Sequence, residues 1–588
     1  MPTRTPRPFR PPAEAGAAPD DRGRHAHRDR AGDAPTGADG ASEASVAPDL
    51  AAAMWLAAWG GGRTQRERVP LVAALGRVTA DPVWAQRSSP AQAVAAADGI
   101  AVCSLETAGA AANQRVRLVP RQFELVSAGD PLPPGRDAVI ALELVECGGA
   151  GRGAWITAPA GHGQHVRAGA DDVAAGELLL VAGHRLRALD LALAAAAGVT
   201  ELTVRRRPAV AVIPVGDVAA TASLLLDGQA REAGCLVEHG PTVSLERALL
   251  DAACTTDLVI VVAGPGTMRP PGLPEVLRRC GEVVVRGVDV ASGRPALLGL
   301  VRNTPVLVCP ACPVAAASAF AALAEPVLAA LSGASPARRE ETAQLAATCG
   351  SRGRLPVRLA TVEGRRVAVP VRRGAQALSG LVRADGWLAD ADGDHELPAG
   401  LPVVVERLHA DAPATVLVAG APDPALDRLL LAHRGLGFCE LTPTQAVALV
   451  RAGGCHAAAF SGVLGEPAEE LEVVPLADVD LVIAGGPALR ADARVAVGPQ
   501  GTPAHRAVAA VVAPRDVVAV RSDAAAFAAL AAGHAELAVG AAAAVPPGMP
   551  TTDLGRAPLN LIVRRGAAER DPALRALLDT VARLREQR

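Results

Sequence analysis

The chain has no tyrosine and no lysine among its 588 residues, and only five Trp and six Phe. Small and apolar residues with Arg and Pro fill their place, a bias of the coding sequence rather than a functional signal. Because every basic side chain other than His is Arg, an Arg standing where a lysine is usual says nothing about function. The formal net charge of −3 gives no basic footprint, so no nucleic-acid partner is expected. No unbroken apolar run reaches the ~18 residues that span a bilayer, so no membrane partner is expected either. The N-terminus is polar and rich in Arg and Asp, unlike a secretory signal. The ten Cys are scattered, as thiols kept reduced in the cytosol are. These absences together predict a cytoplasmic protein.

The length calls for several domains. Residues 1–47 carry Pro, Gly, Ala, Arg, Asp and His with almost no large apolar side chains. They cannot bury enough surface to offset their ordering entropy and read as a disordered tail. An Ala-rich apolar segment from Leu50 to Trp59 predicts a helix stopped by Gly60 to Gly62. Residues 83–160 read as short strands between Gly/Pro turns, a β-rich module within a region spanning 48–200. Strand and helix patterns alternate over 205–335, which predicts a parallel α/β domain with its ligand at the carboxyl ends of the strands. Residues 336–354 read as a linker and 355–408 as a small β-barrel. The stretch 413–566 returns to α/β alternation, and 567–588 reads as a C-terminal helix. The fold class is therefore α/β and multidomain.

The most informative phrase is Ser88-Ser89-Pro90 followed by Ala97-Asp98-Gly99-Ile100. A lone carboxylate precedes a Gly that tolerates positive φ and admits close approach to the backbone. The same residues also suit an ordinary Asp-Gly turn between strands. Further phrases follow in order: Gly129-Asp130-Pro131-Leu132-Pro133, Asp137-Ala138-Val139-Ile140, Gly163-Gln164-His165-Val166-Arg167, Asp171-Asp172, and Ile213-Pro214-Val215-Gly216-Asp217. This ordered series, from about residue 50 to about 408, resembles the molybdopterin molybdenumtransferases, the MoeA and gephyrin E-domain family.

The resemblance implies insertion of molybdate into adenylylated molybdopterin, with Mg²⁺, by a homodimer. Asp98, Asp137, Asp171 and Asp217 would be the catalytic carboxylates, with Asp98, Asp171 and Asp217 at the metal. Magnesium uses one or two carboxylates plus substrate phosphates. Gly99, Gly216, Gly264, Gly266, Thr267, Gly293, Arg294, Pro310 and Pro313 would line the pterin and its phosphate. Glycine backbone N–H groups cradle such a group, and Arg294 can grip it bidentately.

Departures from the family pattern cluster at that site. A usual Glu is Val218, a loop Gly is Ala311, and a loop Ser is Ala315. Pro265 also lacks a donor within the Gly264–Thr267 loop. These losses raise a second reading, a catalytically degenerate homologue that senses or carries molybdopterin or molybdate. Cys309-Pro310-Ala311-Cys312 raises a third, a redox pair, set against two small apolar fillers beside a loop. His456 and His534 read as surface or cap residues.

The segment after Ala412 resembles a periplasmic-binding-protein-like domain. Its Ala-Gly phrases at 452 and 532 each end a helix and open a strand. Gly420, Ser461, Gly501 and Thr502 are its predicted ligand contacts, through N–H groups and hydroxyls at strand-to-helix turns. No Arg accompanies these phrases, so a neutral cage is expected, suited to molybdate or tungstate among other ligands.

Overall fold

The computed structural model describes residues 46–147, 153–216, 219–239, 244–264, 272–290, 295–334, 340–350, 354–371, 378–388, 396–409, 412–461, 469–513 and 516–586. Of the expected tail, only Val46 and Ala47 fall among them. Val46 is paired with Val288, its N–H donating to the Gly287 carbonyl at 3.1 Å.

The first helix, Pro48–Trp59, begins with Pro at its first turn and ends at Gly60 in the left-handed region. Such a start wastes no N–H, and such an end suits a residue without Cβ. Ala51, Ala52, Trp55 and Trp59 are buried in one core with Val210, Ile260, Leu298 and Phe320. The Trp55 indole N–H donates to the Gly299 carbonyl at 2.9 Å. This helix therefore belongs with the α/β domain and not, as expected, with the region that follows it in sequence.

The β-rich module holds two three-stranded sheets. Gly99–Val102 lies between Phe123–Val126 and Ala138–Ala141, and Ala154–Ile156 lies between Val116–Leu118 and Val145–Cys147. Ile100, Leu118, Ile140 and Ile156 fill its core. The expected boundaries shift at both ends. Val94–Ala95 pairs with Val166–Arg167, which carries the module past residue 160. Val83–Trp84 pairs instead with Leu178–Leu180 and shares a core with Leu186 and Leu202.

The α/β domain is one six-stranded sheet in the order Leu236–His239, Ala209–Val215, Leu258–Ala263, Thr304–Pro310, Ala296–Val301, Glu282–Val288. The first four strands are parallel, and Ala296–Val301 runs antiparallel to both of its neighbours. A wholly parallel sheet was the expectation, and this strand corrects it. Arg302 and Asn303, both at positive φ, join it to Thr304–Pro310 through a tight two-residue connection that matches strand twist. Helices Ala220–Glu232 and Pro313–Ser332 cover one face with the first helix; Leu245–Thr255 and Leu273–Cys280 cover the other.

Pro313–Ser332 is apolar and long enough to cross a bilayer, but most of it is buried inside the fold. Phe320–Ala324 forms a π-turn within it. Pro326 stands just beyond and offers no N–H to the Ala322 carbonyl, a recognised cause of such distortion.

The barrel closes through Glu340–Leu345, Arg365–Pro370, Leu355–Val362, Gly386–Leu388 and Pro402–Arg407. Its first strand lies within 336–354, so that segment is no linker. The last module has an eight-stranded sheet in two lobes joined by two 14-residue strands, Leu471–Ala484 and Thr551–Arg564, paired antiparallel. Leu574, Leu577 and Val581 of the helix Pro572–Glu586 sit in that module's core. The C-terminal helix is thus part of the module and not a separate unit.

Candidate functional site

The carboxyl edge of the parallel strands is built by register. Val215 pairs with Ala263, and Ala263 pairs with Pro310. Gly216, Gly264 and Ala311 therefore leave the sheet side by side, and Ala311 N–H donates to the Ala263 carbonyl at 2.9 Å. Gly216 has φ +78°, a turn that only a residue without Cβ makes at no cost. The helices Ala220–Glu232, Leu273–Cys280 and Pro313–Ser332 start at this edge with no side-chain cap. Unsatisfied first-turn N–H groups and the positive ends of helix dipoles favour an anion. Pro310 and Pro313 are both buried there. The flanks of the 291–294 loop reach the same edge, because Leu297 pairs with Val308. Asp217, Val218, Gly266, Thr267, Gly293 and Arg294 lie outside the described residues.

Asp98 is exposed at the end of the module. Its Oδ1 accepts the Ala128 N–H at 2.8 Å, and its carbonyl accepts the Leu142 N–H. Gly99 is needed for a reason other than the expected positive φ. A Cβ there would lie 2.0 Å from the Ile140 carbonyl oxygen, so strand pairing itself excludes a side chain. Asp171 is exposed and pairs with Arg167 Nε at 3.2 Å. The loops meet because Gly129 N–H bonds the Ala95 carbonyl and Ala96 N–H bonds the His165 carbonyl. The Asp98 turn, the 127–130 turn and the 161–172 loop thus form one surface.

Asp137, expected among the catalytic carboxylates, has close hydrogen-bond partners. Its Oδ1 accepts the Ser104 N–H at 2.6 Å; its Oδ2 accepts the Ser104 hydroxyl at 2.8 Å and lies 3.0 Å from His162 Nδ1. The Ser104 N–H, followed by His162 and the Ser104 hydroxyl, holds this carboxyl below the usual range despite burial. These contacts brace the Ser104 turn. Sequence reasoning missed Ser104 and His162, because each lies 25 residues or more from Asp137 in the chain and nothing local marks them. Among the described residues no three His, Cys, Asp or Glu side chains converge to hold a metal.

Cys309 and Cys312 are both buried and outside any disulfide. Burial pushes the Cys309 thiol up to about 12. A redox pair needs an accessible thiolate, so the filler reading holds. His534 is exposed as expected, but His456 is not. It is 3% exposed, with Nδ1 accepting the Leu417 N–H at 3.0 Å and Nε2 lying 3.3 Å from Asp571.

In the C-terminal module, Ser461 N–H donates to the Gly501 carbonyl at 2.8 Å. Thr502 Oγ1 caps its helix through His505 N–H, and Gly420 packs against Ala459. Ser461, Gly501 and Thr502 therefore meet where the lobes already touch. A cavity of about 470 Å³ in this module opens elsewhere, between Asp423, Arg428, Asp478, Asp480 and Arg556. That cavity is charged, with three carboxylates and two guanidinium groups in its lining.

Residues 44–198 match the family model for the MoeA N-terminal region, domains I and II. Molybdopterin molybdenumtransferase 2 of Mycobacterium tuberculosis is 31% identical over 376 residues, covering 56% of this chain and 90% of its own. The molybdopterin molybdenumtransferase of Synechococcus elongatus is 27% identical over 393 residues, covering 58% and 94%. The crystal structure of a molybdopterin biosynthesis MoeA protein from Pyrococcus horikosii superposes with TM-score 0.51 at 25% identity, covering 63% of this chain and all of its own.

Proposed function

The chain belongs to the molybdopterin molybdenumtransferase family, and from that premise we propose how its residues divide the work of inserting molybdenum into adenylylated molybdopterin. It is a transferase of molybdenum cofactor biosynthesis. The observation that carries this is the extent of the match: nine-tenths of a 31% identical relative is covered. The degenerate, non-catalytic alternative is not favoured, since the named relatives are transferases.

Gly216, Gly264, Gly266, Thr267, Gly293, Arg294, Pro310 and Pro313 take the pterin and its phosphate at the sheet's carboxyl edge. The uncapped helix starts supply N–H groups and positive dipole ends there. Asp98 and Asp171, both exposed, address molybdate together with Asp217. Asp98 suits this because the Ala128 N–H fixes one carboxylate oxygen in place. Mg²⁺ fits only as an ion completed by substrate oxygens, because the described carboxylates form no three-ligand group. When bound, it would neutralise phosphate charge. Asp137 holds the Ser104 turn beside these residues. The homodimer and a small-ligand role for the binding-protein-like module belong to the same reading and rest on resemblance, and the cytoplasmic setting rests on composition.

The test is molybdenum insertion by the purified protein from adenylylated molybdopterin and molybdate, read by reconstituting an apo-molybdoenzyme. Asp98→Ala is expected to lower turnover by on the order of 10²-fold or more while the unfolding midpoint stays put. Wild-type turnover in that variant would remove Asp98 from the site.

A further inference from the structure

The charged cavity of the C-terminal module, of about 470 Å³, draws its walls from both lobes and from the strands that join them. Asp423 and Arg428 come from the start of helix Pro424–Ala432 in the first lobe, and Ala541 ends the strand Leu537–Ala541 of the second. Asp478 and Asp480 come from one of the two long strands, and Arg556 comes from the other. A volume of this size holds a small organic molecule.

The charged groups of the lining are not equally committed. Arg428, Asp478, Asp480 and Arg556 are all exposed. Arg556 and Asp480 stand opposite each other in register and pair at 2.5 Å, so each neutralises the other. Arg428 makes no hydrogen bond or ion pair to any described residue. Asp423 is 8% exposed. Its Oδ1 caps the helix by accepting the Ala425 N–H at 2.8 Å. Its Oδ2 accepts no hydrogen bond from a described residue, yet it is not sealed from solvent. A carboxylate oxygen set this deep in a cavity wall is costly to leave unbonded.

The two uncommitted groups are therefore of opposite sign, a carboxylate oxygen in the wall and a guanidinium at the rim. Five residues of helix separate them by about 7–8 Å along the axis. An ammonium and a carboxylate carried on one carbon, each with a charge-assisted contact of about 2.8 Å, span a similar distance. Asp478 gives the lining a third carboxylate against two guanidinium groups, so it accommodates a ligand ammonium beside a ligand carboxylate. We propose that this cavity binds a free α-amino acid, with its ammonium on Asp423 Oδ2 and its carboxylate on the Arg428 guanidinium. The proposal rests on the small-ligand role of this module and names the class of ligand.

Isothermal titration of the full chain with each of the common L-amino acids, and separately with molybdate, tests this. At least one amino acid is expected to bind saturably, with Kd of about 1 mM or tighter. Its analogues lacking the carboxylate or lacking the amine are each expected to bind at least about tenfold weaker. Asp423→Asn keeps the helix cap through its amide oxygen and removes the charge; Arg428→Gln alters only an exposed side chain. Each is expected to weaken the amino acid at least about tenfold, with the unfolding midpoint unchanged. If Asp423→Asn fails to fold, Arg428→Gln decides alone. Equal binding by wild type and Arg428→Gln would place the amino acid elsewhere and overturn the proposal. Molybdate bound by wild type and weakened in Arg428→Gln, with no amino acid bound, would keep a small ligand in the module and overturn the class proposed here. No amino acid bound, with molybdate indifferent to Arg428→Gln, would overturn the small-ligand role as well.

Discussion

Individual carboxylates in this protein do different work according to what surrounds them. Asp137 is held ionised by Ser104 and His162. A carboxyl with a depressed folded pKa stabilises above its unfolded value near 3.9, and that contribution fades as pH falls through the folded value. Asp137→Asn is expected to cost about 1–2 kcal/mol at pH 7, with the difference from wild type shrinking below about pH 4, in urea unfolding followed by circular dichroism. Asp523 behaves oppositely. It is 5% exposed, accepts the Ala541 N–H at 2.8 Å, and burial raises it to about 6. The unfolded chain loses this proton first, so stability falls as pH rises from about 4 to about 6 and then levels. Asp523→Asn keeps the accepted hydrogen bond without the charge. It should therefore stabilise the protein by about 1–3 kcal/mol at pH 8 and change little at pH 4; an equal effect at both pH values would refute this account. Asp98 and the Asp-Gly phrase were legible in the sequence, because local turn chemistry marks them. Ser104 and His162 were not, because hydrogen bonds across loops leave no local pattern.

Elements show the same division. The helix at 48–59 was legible from its apolar run and glycine stop, but its place was not. Trp55 reaches across 244 residues of chain to the Gly299 carbonyl and is wholly buried. Trp55→Ala is expected to cost about 3–5 kcal/mol and to lower the α/β domain's unfolding midpoint, measured calorimetrically. An unchanged midpoint would show that the helix is dispensable to that domain. Strand Ala296–Val301 escaped sequence reading because its apolar run adjoins a loop phrase read for phosphate binding. Its direction depends on the Arg302–Asn303 turn, and two residues at positive φ without glycine or proline give little warning.

At the scale of the whole molecule, the barrel and the first lobe of the C-terminal module are one hydrophobic body. Ala360, Val362, Val367 and Val369 of the barrel share a core with Leu417, Ala419, Val450 and Ile562 of the module. Glu363 pairs with Arg564 at 3.1 Å and Arg570 at 3.3 Å across the same junction. Glu440 of the first lobe lies 3.8 Å from Arg383 of the barrel region and 3.5 Å from Arg521 of the second lobe. A chain ending at residue 409 would expose the barrel face of this core. It is expected to bind a hydrophobic dye and to melt several degrees below the full chain. A truncated protein that melts with the full chain and binds no dye would show the module to be a loose appendage.

The sequence by itself determined what depends on neighbours along the chain: the alternation of strands and helices, the glycine turns, the exposed Asp98 and the ordered phrases that mark the family. Period, turn chemistry and composition act over a few residues, so they can be read without coordinates. Only the tertiary structure decided which helix covers which sheet, that Asp137 braces a turn, that His456 is buried, and that the charged cavity of the last module lies apart from the expected contacts. Those outcomes depend on burial and hydrogen bonds between residues far apart in the chain, which packing brings together and local pattern does not record.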